Sequence, residues 1–551
     1  MWPANGLVDK GICRVPPRGR PAGHGPRRGG TVGEDRHRWA VDADGGGGAA
    51  MTRLPYVPGF AQGFTSGSVS GSVSGSASGS APGSAERTAG EPAGAARRAG
   101  RAGSAGRAAK AAGKALRDEV PRAEHARWRP AAGRPGMVES LEKSNAGRLP
   151  ELVPIRVGRM IASPFAFLRG SAGLMGYDLM GTAVTGVGAQ LCGDAHAANF
   201  GLYGDARGEI VMDLNDFDET LHGPWEWDVK RLAASLVLAG REAGADEDTC
   251  RTAARDAAGA YRHTMRLLAR MPASEAWNAI ADEELVSHAD AHQLVGTLER
   301  VGAKARRNTS ARFAAKATEE DGQGGRRFVD APPVLRRVPD AEAAAVAASL
   351  GPYLGTLPEE LLPLLARYTI QDVAFRIVGT GSVGLRSYVV LLHDHRGEPL
   401  VLQVKEARPS TLLPYAEKTG FEAAPVGHEG RRVVLGQKSM QVVSDVLLGW
   451  TTVEGRPYQV RQFRNRKGSV DPAALAPGEL DDYGRMTGAL LARAHAHSAD
   501  PLLIAGYCGK GGELDEAIAA FAVTYADRME ADHAELAKAV RTGRVAAETG
   551  V

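Results

Sequence analysis

Residues Gln190 to Gly201 read QLCGDAHAANFG. An apolar, strand-like run ends at Cys192, a carboxylate follows at Asp194, and a carboxamide comes five residues later at Asn199. A second apolar run, EIVMDL, then leads into NDFD, with Asp213, Asp216 and Asp218. Carboxylates and a carboxamide on short loops at strand ends are the groups that take a proton from a hydroxyl and hold a hard cation through oxygen.

Phosphate chemistry at such a loop also needs a group that grips the phosphates. The candidate stands far downstream: Gly379-Thr-Gly381-Ser382-Val-Gly384. A GxGxxG run that opens a helix belongs to dinucleotide-binding folds. Here LRSYVVLL follows, β-branched and aromatic, and then the turn HDHRGE. A glycine loop between two antiparallel strands is the protein-kinase arrangement, in which backbone amides cover the ATP phosphates. The next apolar run, VLQVKEA, ends on Lys405, where a kinase places the ammonium that holds the α and β phosphates. A helix starting near Glu429 follows. Glu429 or Glu422 is the expected carboxylate partner of Lys405, with Gln437 a further candidate.

All the parts of a phosphotransferase site are therefore present, in inverted order. The fold expected is α+β, a two-lobed kinase-like fold that is circularly permuted. The divisions expected are a disordered low-complexity tail over 1–124 and a helical part with the catalytic loop over 125–370. A β-rich part with the glycine loop follows over 371–478, and then C-terminal helices over 479–551. In the last of these, YGRMTGALLARAHAHS is expected to pack beneath the catalytic loop. The helical stretch 245–370 lies between the two sets of motifs, which makes it the candidate acceptor site.

Asp194 is the expected catalytic base. Asn199, Asp216 and Asp218 are the expected Mg²⁺ ligands, and Gly379, Gly381, Ser382, Gly384, Lys405 and Glu429 the expected nucleotide contacts. The competing reading of the same loop is a metal-free polar turn. Asp213 is expected to cap the turn, His196 to hydrogen-bond the loop, and Asp228 in WEWDVKRLAAS to brace it from the following helix. Gly193 stands where regulated kinases carry arginine, which argues against control by an arginine-paired phosphate. Arg169, charged in an apolar setting, suits either a phosphate contact or a structural ion pair. The basic run Arg461–Ser469 reads as a solvated edge rather than an anion site.

Bulk properties set the limits. The 551 residues leave room for more than one domain, and the composition is that of an ordinary globular protein. Residues 1–135 hold 21 lysines and arginines against 10 acids, so the tail carries +11 and the remainder −8 of a net +3. The basic charge of the tail therefore says little about partners of the folded part, and no specific nucleic acid is expected. Ser66 to Ala85 is a Gly-Ser repeat that cannot bury enough apolar surface to fold. Met51 and Met137 are later candidates for the start of translation. The four cysteines are far apart, with no CxxC pair, so neither a zinc knot nor a disulfide framework is indicated. No apolar run reaches transmembrane length and no signal-peptide core opens the chain, so a cytoplasmic location without membrane contact is expected.

RMIASPFAFLRGSA, LCGDAHAANFG, DLNDFDETLHGPWEWDVKRLAAS, GTGSVGLRSY, LQVKEA and GQKSMQ together resemble the bacterial family of domain of unknown function 2252, over about 125–540. The resemblance implies a place in the protein-kinase-like superfamily, beside the aminoglycoside and choline phosphotransferases, and hence ATP and Mg²⁺ as cofactors. Leu435 departs from the glutamate expected there, which leaves the partner of Lys405 open. The function expected is phosphoryl transfer from ATP to a hydroxyl of a small molecule or protein. The alternatives are nucleotidyl transfer on the same scaffold and a non-catalytic nucleotide-binding module. A metal-dependent phosphoesterase would need further histidine ligands and leaves the glycine loop unexplained.

Overall fold

The computed structural model describes residues 93–279, 287–322, 324–377, 379, 381–422 and 427–550. The Gly-Ser repeat, the remainder of 1–92 and Thr380 of the glycine loop lie outside the described residues. The architecture is mixed α+β.

In chain order, α1 (Ala93–Glu119) precedes four short helices, α2 (Met137–Asn145), α3 (Val153–Met160), α4 (Pro164–Arg169) and α5 (Ala172–Leu179). Strands β1 (Gly188–Leu191), β2 (Phe200–Gly204), β3 (Ile210–Leu214) and β4 (Leu221–Pro224) follow. The long helices α6 (Trp225–Glu242) and α7 (Glu247–Leu268) come next, then α8 (Val295–Arg306) and α9 (Ser310–Ala317). β5 (Thr318–Glu320), β6 (Arg326–Phe328) and β7 (Leu335–Arg337) lead to α10 (Asp340–Leu354). β8 (Thr369–Arg376), β9 (Ser387–His393) and β10 (Pro399–Glu406) are followed by α11 (Glu429–Met440). β11 (Gly449–Val453), β12 (Arg456–Gln462) and β13 (Gly468–Ser469) come before α12 (Pro477–Ala496), α13 (Pro501–Cys508) and α14 (Glu513–Arg541).

The glycine loop belongs to a six-stranded antiparallel sheet of order β11-β12-β10-β9-β8-β7. The run SYVVLL of β9 is buried at every position because both of its faces are covered. Val390 and Leu392 pack with Val346 and Leu350 of α10 on one side. Val389 and Leu391 pack with Ala314 and Ala317 of α9 on the other. Glu454 and Gly455, both with positive φ, make the two-residue turn between β11 and β12. The two apolar runs that flank the 192–199 loop do not pair with each other. β1 pairs with β4, and β3 pairs with β2 in a small sheet completed by β13.

The second core surrounds α6, which is buried along almost its whole length beneath α7, α12 and α14. Two expectations change here. The tail reading ran to residue 124, but Ala93–Glu119 is a helix that packs on α13. Alanine, arginine and lysine are strong helix formers, and small residues let the backbones meet. A Cβ at Gly113 would stand 2.0 Å from the Leu503 carbonyl oxygen, and Arg117 Nε donates to the Tyr507 carbonyl at 2.8 Å. The stretch 245–370, read as helical, also supplies the hairpin β5–β6 and the edge strand β7.

Lys230 of α6 is fully buried, 5.1 Å from the Phe521 ring centroid, and burial pushes its ammonium down to about 7 despite Glu226. The unfolded chain keeps this lysine protonated up to its ordinary value of 10.5. Between those values the unfolded state holds the extra proton, so Lys230 contributes stability that rises with pH from about 7 to about 10. Lys230→Met is expected to reduce the gain in denaturation free energy between pH 7 and 9 relative to wild type. Equal gains in the two proteins contradict this.

Candidate functional site

The sequence places Asp194 on the loop between β1 and β2, and the fold fixes that loop from below. Asp228, in the first turn of α6, accepts the Cys192 N–H at 2.7 Å and the Gly193 N–H at 3.0 Å. Gly193 has φ +79°, and a Cβ there would lie 2.1 Å from the Glu219 carbonyl oxygen, so only glycine fits. From α12, the Tyr483 hydroxyl donates to the Ala197 carbonyl at 2.7 Å and His495 meets Asp228 at 3.3 Å. The bracing expected of Asp228 and of the YGRMTGALLARAHAHS helix is what the structure has.

Asn199 ties this loop to the next. Its Nδ2 donates to the carbonyls of Asp194 and Asp216, both at 2.9 Å, and its Oδ1 accepts the Asp216 N–H at 2.8 Å. The Asp216 carboxylate then stands open to the cleft, 48% exposed, with Asp218 beside it at 24%. Between them lies the Lys405 ammonium, 3.2 Å from Asp216 and 2.5 Å from Asp218, with its side chain 2% exposed. Gln459, opposite Lys405 in the β10–β12 register, donates to Asp218 at 3.1 Å.

The electrostatics follow from this triangle. Burial works against the charge of Lys405, but Asp216 and Asp218 outweigh it and hold the ammonium above the ordinary lysine range. Burial also raises Asp216, yet Lys405 and Arg461 bring it below the usual carboxylate range. Asp218, pushed up by burial and then by the charge of Asp216, is the member of the pair that protonates first. Among the described residues no group of three or more His, Cys, Asp or Glu side chains is placed to hold a metal ion. Two open carboxylates suit a cation that completes its shell with phosphate and water oxygens, as Mg²⁺ does.

Glu429 is not the partner of Lys405. Its carboxylate is taken by Arg432 one turn along α11, at 2.5 Å, and Arg432 carries the docking of that helix by donating to the Asp218 and Arg408 carbonyls at 2.8 and 2.6 Å. Glu422 is exposed, and Gln437 is buried against Gln441. The two aspartates already satisfy the lysine, so no glutamate from α11 is needed.

The glycine loop joins the antiparallel neighbours β8 and β9. Gly379 and Gly384 have φ +68° and +90°, and Ser382 is buried. The loop is gripped through its carbonyls: Arg148 donates to Val383 at 2.6 Å, the Leu149 N–H to Gly384 at 2.8 Å, and Arg159 to Gly379. Arg148, Arg159, Gly379, Gly381 and Ser382, with Lys405 and Asp194, His196 and Asn199 of the 192–199 loop, line one cleft of about 1210 Å³.

Asp194 is held by Arg231 of α6, at 2.6 Å from Nε. Burial raises its carboxyl above the usual range while Arg231 pulls it back. Arg231 was missed in the sequence, although its spacing of one helical turn from Asp228 points both side chains at the same loop. His196 is buried, and its imidazole, lowered by burial and then by Arg169 and Arg231, is neutral. The Cys192 thiol is buried and donates to the Asp216 carbonyl at 3.2 Å. Asp213 is not only a turn cap, because it pairs with Arg493 of α12. Arg169 forms no ion pair among the described residues; it lies 6.0 Å from the Phe165 ring centroid with its buried Nε unbonded, facing the cleft.

The basic run 461–469 is not a solvated edge. Arg461, Arg464 and Lys467 line the cleft, and burial followed by the like charge of Arg461 pushes the Lys467 ammonium down to about 7. Among the described residues, fifteen lysines and arginines line the cleft against four carboxylates. No helix of the described residues is long and apolar enough to cross a membrane.

Residues 148–539 match the family model described as "Uncharacterized protein conserved in bacteria (DUF2252)", and the chain belongs to that family. Comparison with curated proteins gives no match, and neither does comparison with solved structures.

Proposed function

We propose that this protein is an ATP- and Mg²⁺-dependent phosphotransferase of the kinase-like superfamily, circularly permuted, which phosphorylates a hydroxyl group. The observation that carries the reading is the Lys405–Asp216–Asp218 triangle. A lysine on the second strand after a glycine loop meets the aspartates that follow a catalytic loop, although the two sets are 189 residues apart between Lys405 and Asp216. That conjunction is the working core of a kinase site.

In this reading Asp216 and Asp218 hold Mg²⁺, with the second lone pair of the Asn199 Oδ1 as a further ligand. Lys405 and the amides of Gly379, Gly381, Ser382 and Gly384 hold the phosphates. Asp194, fixed by Arg231 and by the Asp228-bound backbone, orients the acceptor hydroxyl and takes its proton. The acceptor oxygen bonds to the γ-phosphorus as the bond to the ADP oxygen breaks. Bound ATP and Mg²⁺ supply the phosphoryl group and neutralise the charge that develops on it.

A screen of hydroxyl compounds with ATP and Mg²⁺, followed by ³¹P NMR, tests the reaction. The expected result is ADP and a new phosphate ester. Release of pyrophosphate with AMP esterified to the acceptor, or nucleotide binding without turnover of any acceptor, contradicts it and points to nucleotidyl transfer or a non-catalytic module respectively.

A further inference from the structure

The cleft has a second half that the triangle and the catalytic loop do not use. Lys304 and Arg307 at the end of α8, Arg312 and Lys316 on α9, Arg376 at the end of β8 and Lys467 before β13 line it. Among the described residues none of the six is in an ion pair. Nearby carboxylates are taken elsewhere, Glu319 by Arg327 and Arg337, Asp216 and Asp218 by Lys405.

A run of like charge is ordinarily a solvated face, but this one is built into a wall. Asn308 Nδ2 donates to the Lys467 carbonyl at 2.6 Å, and the Ser310 hydroxyl to the Phe463 carbonyl at 2.8 Å. A Cβ at Gly468 would stand 2.9 Å from the Ala305 Cβ. These contacts fix α8 and α9 against the segment that leaves β12. The Arg376 guanidinium lies over two rings, 5.0 Å from the Phe313 centroid and 5.3 Å from Phe463, and its buried Nε has no hydrogen-bond partner. Lys304, Arg307, Arg312 and Lys316 are exposed at the cleft, while Arg376 and Lys467 are half-buried; like charges gathered on one wall repel one another, and a bound anion relieves that repulsion. The cleft volume of about 1210 Å³ also exceeds the ~300–1,000 Å³ typical of a single small-ligand pocket. There is room for a second ligand beside a nucleotide, and Mg²⁺·ATP brings its own countercharge to the aspartates.

We propose that the basic half of the cleft binds the acceptor, and that the acceptor carries a run of two or more phosphate groups. This rests on the phosphotransferase reading for the word acceptor, and on α8, α9 and Arg376 for the oligophosphate. Arginine forks and lysine ammoniums set on a rigid wall are the groups that recognise successive phosphates.

The test is calorimetric titration of the full chain with inorganic tripolyphosphate, repeated with excess Mg²⁺ and a saturating non-hydrolysable ATP analogue. The expected result is one tripolyphosphate per chain, bound with and without the analogue. Arg312→Gln/Lys316→Gln, on the wall and outside the catalytic set, is expected to weaken it tenfold or more with an unchanged melting curve. Asp216→Ala is expected to retain it. Equal affinity in the wall variant, no binding to wild type, or displacement by the analogue overturns the proposal. The analogue's own Mg²⁺-dependent binding, read in the same titrations, reports separately on the phosphotransferase reading. If the analogue fails to bind while wall-dependent tripolyphosphate binding persists, the anion site stands and its role as an acceptor site falls.

Discussion

Asp228→Ala is expected to lower the folding free energy by about 3–5 kcal/mol, the largest loss at any single position of the site. The carboxylate accepts two buried backbone N–H groups, those of Cys192 and Gly193. Alanine leaves both donors without partners, and each orphaned buried donor costs about 1–3 kcal/mol. The contact to His495 is lost as well. Denaturant titration measures the difference. Asp228→Asn, which keeps one acceptor oxygen and turns an amide against the other N–H, is expected to lose about half as much. A loss below ~1 kcal/mol for alanine means that the loop is held by other means.

Gly193→Ala is expected to cost about 3 kcal/mol or more, for a different reason. The backbone there is left-handed, which disfavours any side chain by about 1 kcal/mol. The new methyl also meets the Glu219 carbonyl oxygen and the Leu412 side chain, at 2.1 and 2.9 Å on the unrelaxed backbone. A carbonyl cannot yield as a side-chain tip does, so the loop must move and overpacking adds about 1–3 kcal/mol. Denaturant titration of the variant checks this, and a stability within ~1 kcal/mol of wild type shows that the loop has another conformation open to it.

Much of the site was legible because its signals are local. A glycine loop followed by β-branched residues calls for a strand rather than a helix, and β9 is that strand. Lys405 at the end of an apolar run had to lie at the end of a buried strand. Asp228, near the start of a helix that closely follows the aspartates, was in reach of the loop they share. What the sequence hid depends on distant contacts. The partner of Lys405 is set by how β10 meets the 216–218 loop, and no spacing along the chain reports that meeting. Glu429 suited the helix pattern, but Arg432 at i+3 claims it. The charges of α8, α9 and the 461–469 segment read singly as solvated residues, and only the fold puts them on one wall. α1 shares the Gly/Ala/Arg composition of the low-complexity segment before it, and its packing on α13 is what sets its last turns apart.

The central claim is that Asp216 and Lys405 form a metal–nucleotide site, and a thermal-shift titration of the full chain with ATP, with and without Mg²⁺, beside Asp216→Ala, tests it most directly. Ligand at ~100 times its Kd adds about 2.7 kcal/mol of stability. The account predicts a rise in melting temperature with ATP that requires Mg²⁺ and is absent in the variant. A shift that is independent of Mg²⁺ and kept by Asp216→Ala, or no shift with any nucleotide, contradicts it.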